Sequence, residues 1–448
     1  MDPVVVGERI RKIRKQKNLV LQNLSDVFSI GKLSNIEKGK IPVVLDDIKK
    51  ICERLDVPVD QVIDTENVNV ASHVIHTLSE IRALISVGQP VEVRPLIIST
   101  KKDIVKHKIN YLLPEINFYH GVYHIKRNNY KLARPLLLDV IENDYEFEHA
   151  KTFKLRAYNA LSYVEYMLGR MSLAWNYTNQ AKEMLCSVKQ SVDEEANIYF
   201  NAAIITTQLG DFPTAQIYAQ SALKLSDGSF QHVVRLVIAT IQAMTDDFKP
   251  ALLNTDACIE YFSREEEIKY LTKALQIRYF LFNLQPNKFK DQISIIESTI
   301  PRTIINQSRN EKNPPEFLVL GAHVFISLAI DKKRYDFAEK FIKELYEIQS
   351  KIPEFRHAFK TYYLHAKVVR GTTKDKEQEK KLLEEALSLM ETNESYEKAI
   401  IMHELYELDK GENEDGILYR SNELFYKLKN LQLREFNYIQ NILPDLRY

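Results

Sequence analysis

The first forty residues carry side chains suited to contact with nucleic acid. Nine of them are Lys or Arg and four are Asp or Glu, whereas the 448-residue chain as a whole holds 61 of each class and is formally neutral. Such a local positive excess is typical of surfaces that neutralise phosphates, although an ordinary solvated helix face is the alternative. Lys32 could donate to guanine, and Asn35 could pair with adenine. The candidates for phosphate contact are Lys38, Lys40, Arg11, Lys12 and Lys15.

A second set of candidates lies between residues 156 and 208, where amide and aromatic side chains recur on helical spacing. An Asn side chain offers a donor and an acceptor together, so it can hold a peptide main chain. Tyr and Phe would take apolar side chains of such a ligand, and an Arg could hold a carboxylate. The alternative for each is a solvated groove residue. The candidates are Arg156, Asn159, Tyr163, Tyr166, Asn197, Phe200, Asn201 and Gln208, with His323 and Tyr363 from later in the chain.

Signals for catalysis, cofactors or metals are weak. His120 and His124 stand four residues apart and could share a metal on one helix face, but no Glu follows in an HExxH frame and no third ligand is evident. The chain has no GxxxxGK[ST] phosphate loop and no GxGxxG, and its serines lack a nucleophile-elbow context. We therefore expect a protein that is not an enzyme, with no metal and no cofactor.

Composition favours an all-α protein of the cytoplasm. The three cysteines are far apart in sequence, which argues against a disulfide framework and fits a reducing compartment. No apolar run approaches the roughly 18 residues that span a bilayer, and the N-terminus lacks the apolar core of a signal peptide. Gly and Pro are sparse, and strand-like alternation is hard to find.

Five short helices are predicted within residues 1–64, which would form a compact domain. "GERIRKIRKQKN" and "LVLQNLSDVF" give the first two, and "IGKLSNIEKGKI" gives a third that ends at Gly39. A fourth begins at Pro42, and a last turn begins at Pro58. Residues 65–113 are predicted to form a helical linker that is interrupted between Gly88 and Pro95.

From residue 114 onward the chain repeats a unit of helix, tight turn and helix. Asn128, Gly169 and Gly210 fall at one turn position, 41 residues apart each time. A period of this form indicates a helical solenoid in which small residues let paired helices approach closely. The alanines that occupy the second-helix position are Ala133, Ala174, Ala215, Ala251, Ala338 and Ala386.

Both halves resemble known families. Residues 5–63, above all "LSNIEKGK", resemble the Cro/repressor-like (XRE) helix-turn-helix family. That resemblance implies that Glu37 pairs with Arg14 to fix the fold. It also implies that the base-facing positions are Ile30, Gly31, Lys32 and Asn35. The repeats between about 115 and 430 look like tetratricopeptide repeats, with Gly169 and Gly210 in the place of the turn glycine.

Together the two halves resemble the RRNPP family of peptide-pheromone receptors of Gram-positive bacteria and their phages, whose types include NprR, PlcR, PrgX, Rgg and Rap. The resemblance implies an N-terminal helix-turn-helix DNA-binding domain (1–64), a helical linker (65–113) and a right-handed superhelical tetratricopeptide-repeat solenoid (114–448). It also implies groove-facing asparagines that clamp a peptide.

The expected protein is a quorum-sensing transcription regulator, a homodimer without membrane attachment. Its partners would be a short signalling peptide and a double-stranded DNA operator. Peptide binding would change its DNA binding or its oligomeric state. Two alternatives remain: a Rap-like switch that acts on a response regulator, and a non-catalytic repeat scaffold.

Overall fold

The structure is a computed structural model of the chain. It describes residues 3–62, 65–87, 90–143, 148–188, 190–308, 315–350, 352, 357–390, 396–408, 418, 421–422 and 447. Every regular element within these ranges is an α-helix or a 3₁₀ turn, so the predicted all-α class is confirmed. None of the helices described is long and apolar enough to cross a membrane.

The N-terminal module contains three α-helices and two 3₁₀ turns. The helices are α1 (Pro3–Gln16), α2 (Ile30–Glu37) and α3 (Leu45–Leu55), and the turns are Leu21–Leu24 and Val59–Gln61. The predicted second helix is therefore only one 3₁₀ turn. Side chains compete with helical hydrogen bonds there: Asn23 Oδ1 accepts from the Val20 amide at 2.7 Å, and Ser25 Oγ donates to the Gln22 carbonyl at 2.7 Å.

Two glycines let α1 and the end of α2 approach closely. A Cβ on Gly7 would lie 2.2 Å from the carbonyl oxygen of Ile36, so the two helices meet backbone to backbone. Gly39 has a φ of +66° and ends α2, with its amide donating to Ile36 and the Lys40 amide donating to Asn35. This pair of bonds is a Schellman motif, which satisfies the last carbonyls of a helix and favours glycine.

The predicted pair between Arg14 and Glu37 is present and also ties α1 to α2. The Arg14 guanidinium donates from Nε to Glu37 Oε1 at 2.5 Å and from Nη2 to Oε2 at 2.7 Å, and its Nη1 donates to the Leu19 carbonyl. Both side chains are buried, and hydrogen bonding to Glu37 raises the pKa of Arg14. The module has its own apolar core, which runs from Val6 to Val62.

Consecutive helices build the remainder of the described chain. The first group is α4 (Thr65–Val87), α5 (Pro90–Lys106), α6 (Leu113–Lys126), α7 (Tyr130–Glu142), α8 (Glu148–Met167), α9 (Met171–Met184), α10 (Val192–Leu209) and α11 (Phe212–Leu225). Pro95 lies inside α5, so the predicted interruption of the linker is shorter than expected.

The second group is α12 (Gly228–Met244), α13 (Phe248–Arg264), α14 (Ile268–Leu284), α15 (Lys290–Ser308), α16 (Pro315–Asp331), α17 (Tyr335–Gln349), α18 (Ala358–Gly371), α19 (Lys376–Ser388) and α20 (Tyr396–Leu408). Helices pack on their sequence neighbours and also on the next helix but one, as α6 does on α8 and α12 does on α14. That alternation is what stacked helical pairs produce.

The repeat positions predicted from the sequence have a common structural reason. Asn128, Gly169 and Gly210 all adopt positive φ, at 57°, 75° and 83°. Gly and Asn are favoured there because other L-residues pay a steric cost in the left-handed region. All six alanines of the second-helix position are 0% exposed, so each lies where two helices touch.

The chain divides into two compact units. Unit 1 comprises Met1–Leu168, Ser172–Ile198 and Arg447–Tyr448, and unit 2 comprises Gly169–Met171 and Tyr199–Leu446. Unit 1 holds the core of the N-terminal module and a second core that extends from Ala71 to Val164. The boundaries predicted at residues 64 and 113 remain predictions.

Candidate functional site

The cationic candidates of the N-terminal module lie largely on its surface. Seven of the eight predicted DNA-contacting residues are exposed, namely Arg11, Lys12, Lys15, Gly31, Asn35, Lys38 and Lys40. Ser29 caps the N-terminus of α2 by accepting from the Lys32 amide, which fixes where the helix begins. A Cβ on Gly31 would meet no atom within 4 Å, so the start of α2 has room for a contacting partner.

Lys32 is the exception, because its ammonium group is held within the module. Its Nζ lies 2.8 Å from Asp47 Oδ2 and 3.7 Å from the centroid of the Phe28 ring. The Lys32 side chain is 38% exposed and that of Asp47 is 19% exposed, so water still reaches the pair. A base or phosphate would have to draw Lys32 away from Asp47.

A pocket in unit 1 brings together three of the predicted peptide-binding residues, Arg156, Asn159 and Asn197. Its volume is about 180 Å³. Four helices contribute to it: α4, α6, α8 and α10. The lining residues are Arg82, Phe118, Tyr119, Leu155, Arg156, Asn159, Glu194, Asn197 and Ile198. We call this site the α8–α10 pocket.

A capping box at the start of α10 positions the charged side of the pocket. Ser191 Oγ accepts from the Glu194 amide at 3.2 Å, and Glu194 Oε2 accepts from the Ser191 amide at 3.0 Å. The other carboxylate oxygen of Glu194 accepts from Arg156 Nε at 2.5 Å. Arg156 also lies over the Phe153 ring, 5.0 Å from its centroid. The guanidinium is therefore held by a carboxylate and an aromatic face.

The pocket also has an aromatic part, to which Phe118 and Tyr119 contribute. The ring centroids of Phe118, Tyr119 and Phe153 lie 5.6 to 5.9 Å apart and are mutually tilted or edge-on. Burial, reinforced by Glu115, raises the pKa of Tyr119 to about 12. The phenol therefore stays protonated at neutral pH, and the pocket keeps a neutral wall beside its arginines.

Two asparagines supply the amide chemistry. Asn159 Nδ2 donates to the main-chain carbonyl of Arg447 at 3.0 Å, although 288 residues separate the two. Asn197 Oδ1 is buried and accepts no hydrogen bond from any residue that the structure describes. A buried acceptor without a donor costs free energy, and turning the Asn197 amide towards a ligand N–H would recover that cost.

Most other predicted peptide-binding residues lie elsewhere. Tyr163 and Tyr166 are half-buried on α8 and do not line the pocket, and Tyr163 instead packs near Tyr130. The prediction that the remaining five face an open groove is corrected by their burial in unit 2, where they are 0 to 3% exposed. They are Phe200, Asn201, Gln208, His323 and Tyr363.

His323 and Tyr363, two of these five, form hydrogen bonds with other side chains of the chain. His323 Nε2 lies 2.8 Å from Thr361 Oγ1, and Tyr363 donates to Glu404 Oε1 at 2.9 Å. Turn-by-turn spacing identifies residues that share a helix face but does not tell an inner face from a ligand-facing one. That is why packing residues were predicted as lining residues.

Six lining residues were not predicted: Arg82, Phe118, Tyr119, Leu155, Glu194 and Ile198. Leu155 and Ile198 directly neighbour predicted residues on α8 and α10, whereas the other four belong to other helices or to the first turn of α10. One signal for Glu194 was present in the sequence, because "SVDE" has the Ser-x-x-Glu form of a capping box.

The two histidines of "HGVYH" lie together without forming a metal-ligand cluster. The ring centroids of His120 and His124 are 5.0 Å apart. The part of the chain that the structure describes contains no group of three or more potential metal-ligating side chains. Burial lowers the pKa of His120 to about 4, with further lowering by His124, Lys101 and Arg94.

Comparison with known proteins gives partial likenesses to solved structures. No family model and no curated protein matches the chain. The crystal structure of Bacillus thuringiensis PlcR in complex with the peptide PapR7 and DNA is 14% identical, with a TM-score of 0.34 over 59% of this chain and 98% of that one. A structure of a PrgX mutant is 13% identical, with a TM-score of 0.31 over 64% of this chain and 99% of that one. PlcR and PrgX are two of the types of the family that the sequence resembles.

Proposed function

We propose that the chain is a peptide-responsive transcription regulator. It binds a short peptide in the α8–α10 pocket and double-stranded DNA through its N-terminal module, and the peptide changes DNA binding or oligomeric state. The observation that carries the proposal is the buried Asn197 Oδ1, which lacks a donor among the described residues in a pocket that also holds Asn159 and Arg156.

The chemistry of the pocket fits a peptide better than a small charged metabolite. Asn197 can accept a main-chain N–H and Asn159 can donate to a main-chain carbonyl, so together they match both groups of one peptide unit. Phe118 and Leu155 provide an apolar wall for a side chain. Arg82 and Arg156 outnumber Glu194, which favours a ligand with a carboxylate.

The DNA-binding half of the proposal is supported by the surface of the module. Its exposed lysines and arginines lie in a chain that is neutral as a whole, so the positive potential is local. The Arg14–Glu37 pair and the Gly7 contact hold α2 firmly against α1. A helix that is fixed on its scaffold in this way can be presented to a groove of duplex DNA without a large ordering cost.

Thermal unfolding in the presence of a library of short synthetic peptides tests the pocket. A peptide at 100 times its Kd should stabilise the chain by about 2.7 kcal/mol. The Asn197→Ala variant should weaken the response, whereas Asn35→Ala, a change of the same residue type on the DNA-facing side, should leave it intact. If no peptide raises the unfolding temperature, the pocket is not a peptide site.

Fluorescence anisotropy with labelled duplex DNA tests the module. Affinity should fall steeply with salt, because phosphate contacts release counterions. Asn35→Ala should weaken binding to the preferred duplex, and Asn197→Ala should leave it unchanged when peptide is absent. No binding to duplex DNA even at low salt would exclude DNA binding and favour the response-regulator switch. Sedimentation with and without peptide would establish the oligomeric state.

A further inference from the structure

One residue that lines the α8–α10 pocket, Asn159, already has a hydrogen-bond partner in a distant part of the same chain. Asn159 is 7% exposed, and its amide group donates to the carbonyl of Arg447 at 3.0 Å. Arg447 belongs to unit 1, whereas the chain from Tyr199 to Leu446 belongs to unit 2. Arg447 therefore belongs to the unit that contains the pocket, although the chain that precedes it belongs to the other unit.

The contact has the chemistry expected of a peptide ligand. The group that Asn159 binds is a main-chain carbonyl, which every peptide presents whatever its sequence. A side-chain amide that recognises such a carbonyl does not distinguish a free peptide from a segment of its own chain. The two would therefore compete for the same donor.

We infer that the main chain at Arg447 is an internal competitor, which holds the amide group of Asn159 until a free peptide displaces it. The inference rests on the proposed function, because it assigns an occupant to the same site. Its ligand class is an extended peptide whose main-chain carbonyl reaches Asn159 and whose neighbouring N–H reaches Asn197. Such a peptide gains the Asn197 acceptor, which accepts from no residue that the structure describes.

Tethering sets the strength of the competition. A segment linked to its site acts at an effective concentration of the order of 1 mM. If the free segment has a Kd of about 100 µM, the tethered copy reduces the apparent affinity of any competing peptide about tenfold. A weakly binding peptide would then fail to displace the Arg447 main chain, and only a more tightly binding peptide would occupy the site.

The test uses a labelled synthetic peptide, NILPDLRY, which reproduces residues 441–448. Its affinity is measured by fluorescence anisotropy for the full chain, for a chain that ends after residue 440, and for a full-length chain with residues 441–448 replaced by alternating Gly and Ser. The shortened and replaced chains should bind the peptide about tenfold more tightly than the full chain. In the shortened chain, Asn159→Leu should weaken binding about fivefold, the value of one hydrogen bond.

Several results would overturn the inference. Equal affinity of the three chains would show that the segment does not compete, and so would failure of the shortened and replaced chains to bind the peptide. An unchanged affinity in Asn159→Leu would place the peptide elsewhere. If the shortened chain does not fold, the same affinities are measured in the replaced chain, and Asn159→Leu is introduced there. Failure of the proposed function would look different: NILPDLRY would still bind, but no unrelated short peptide would displace it.

Discussion

Replacing Asp47 by Asn should increase the salt dependence of DNA binding, because it releases Lys32. In the structure Asp47 Oδ2 holds Lys32 Nζ at 2.8 Å, above the Phe28 ring. The neutral amide keeps the shape of the carboxylate but loses the charge that retains the ammonium group. Lys32 would then be available to a phosphate or a guanine.

The size of the effect follows from the exposure of the pair and from counterion release. The Lys32 and Asp47 side chains are 38% and 19% exposed, so solvent screening limits the cost in folding free energy to about 0–1 kcal/mol. One additional phosphate contact makes the slope of log K against log salt more negative by about 0.9. Between about 50 and about 200 mM salt, the variant should lose a further factor of about 3.5 in affinity relative to the parent chain.

Anisotropy titrations with duplex DNA at several salt concentrations measure this difference. Asp46→Asn is the matched control, since it removes the same charge from the same helix turn, but its side chain is 82% exposed and its nearest ammonium group, Lys49 Nζ, is 3.9 Å away. Adding Lys32→Ala to the Asp47→Asn chain should restore the parent slope. Identical slopes for Asp46→Asn and Asp47→Asn would refute the reasoning, because the effect would then be general charge and not the release of Lys32.

Two further predictions concern stability. Gly7→Ala should destabilise the N-terminal module by about 1–3 kcal/mol in urea unfolding, because its Cβ would lie 2.2 Å from the Ile36 carbonyl oxygen. Gly31→Ala is the control and should be neutral or stabilising, because its Cβ would meet no atom within 4 Å. Equal effects of the two substitutions would contradict the close approach of α1 and α2. Since the pKa of His120 is lowered to about 4, the unfolded chain takes up a proton below about pH 6.5 that the folded chain excludes. The unfolding temperature should therefore fall as pH falls from about 6.5 towards 4, and a His120→Phe variant that follows the same profile would contradict this.

The repeated turn and helix-contact positions could be read from the sequence where one backbone conformation restricts the residue type. Asn128, Gly169 and Gly210 recur every 41 residues because each sits in the left-handed region, which few other residues occupy without strain. Ala133 and Ala174 recur because a larger side chain would separate two helices in contact. Local steric constraints of this kind restrict the residue type at each position, so they can be recognised in the sequence.

The pocket could be predicted only in part, because it depends on which helices meet. Arg156 and Asn159 share a face of α8, and helical spacing was enough to group them. Nothing local in the sequence brings Arg82 of α4 to the same cavity, or carries Arg447 to within hydrogen-bond distance of Asn159. The same limit explains why Phe200 was predicted to face a ligand and is fully buried.

Few residues separate the pocket-lining helix α4 from the N-terminal module along the chain. Arg82 lines the pocket from α4, and α4 begins at Thr65, only three positions after Val62 in the core of the N-terminal module. A helix transmits displacement along its length because its hydrogen bonds are internal, and from Thr65 to Arg82 that length is about 25 Å. A ligand shifts an equilibrium only through contacts that differ between two states. A peptide carboxylate that engages Arg82 would make such a contact on the helix that follows the N-terminal module along the chain.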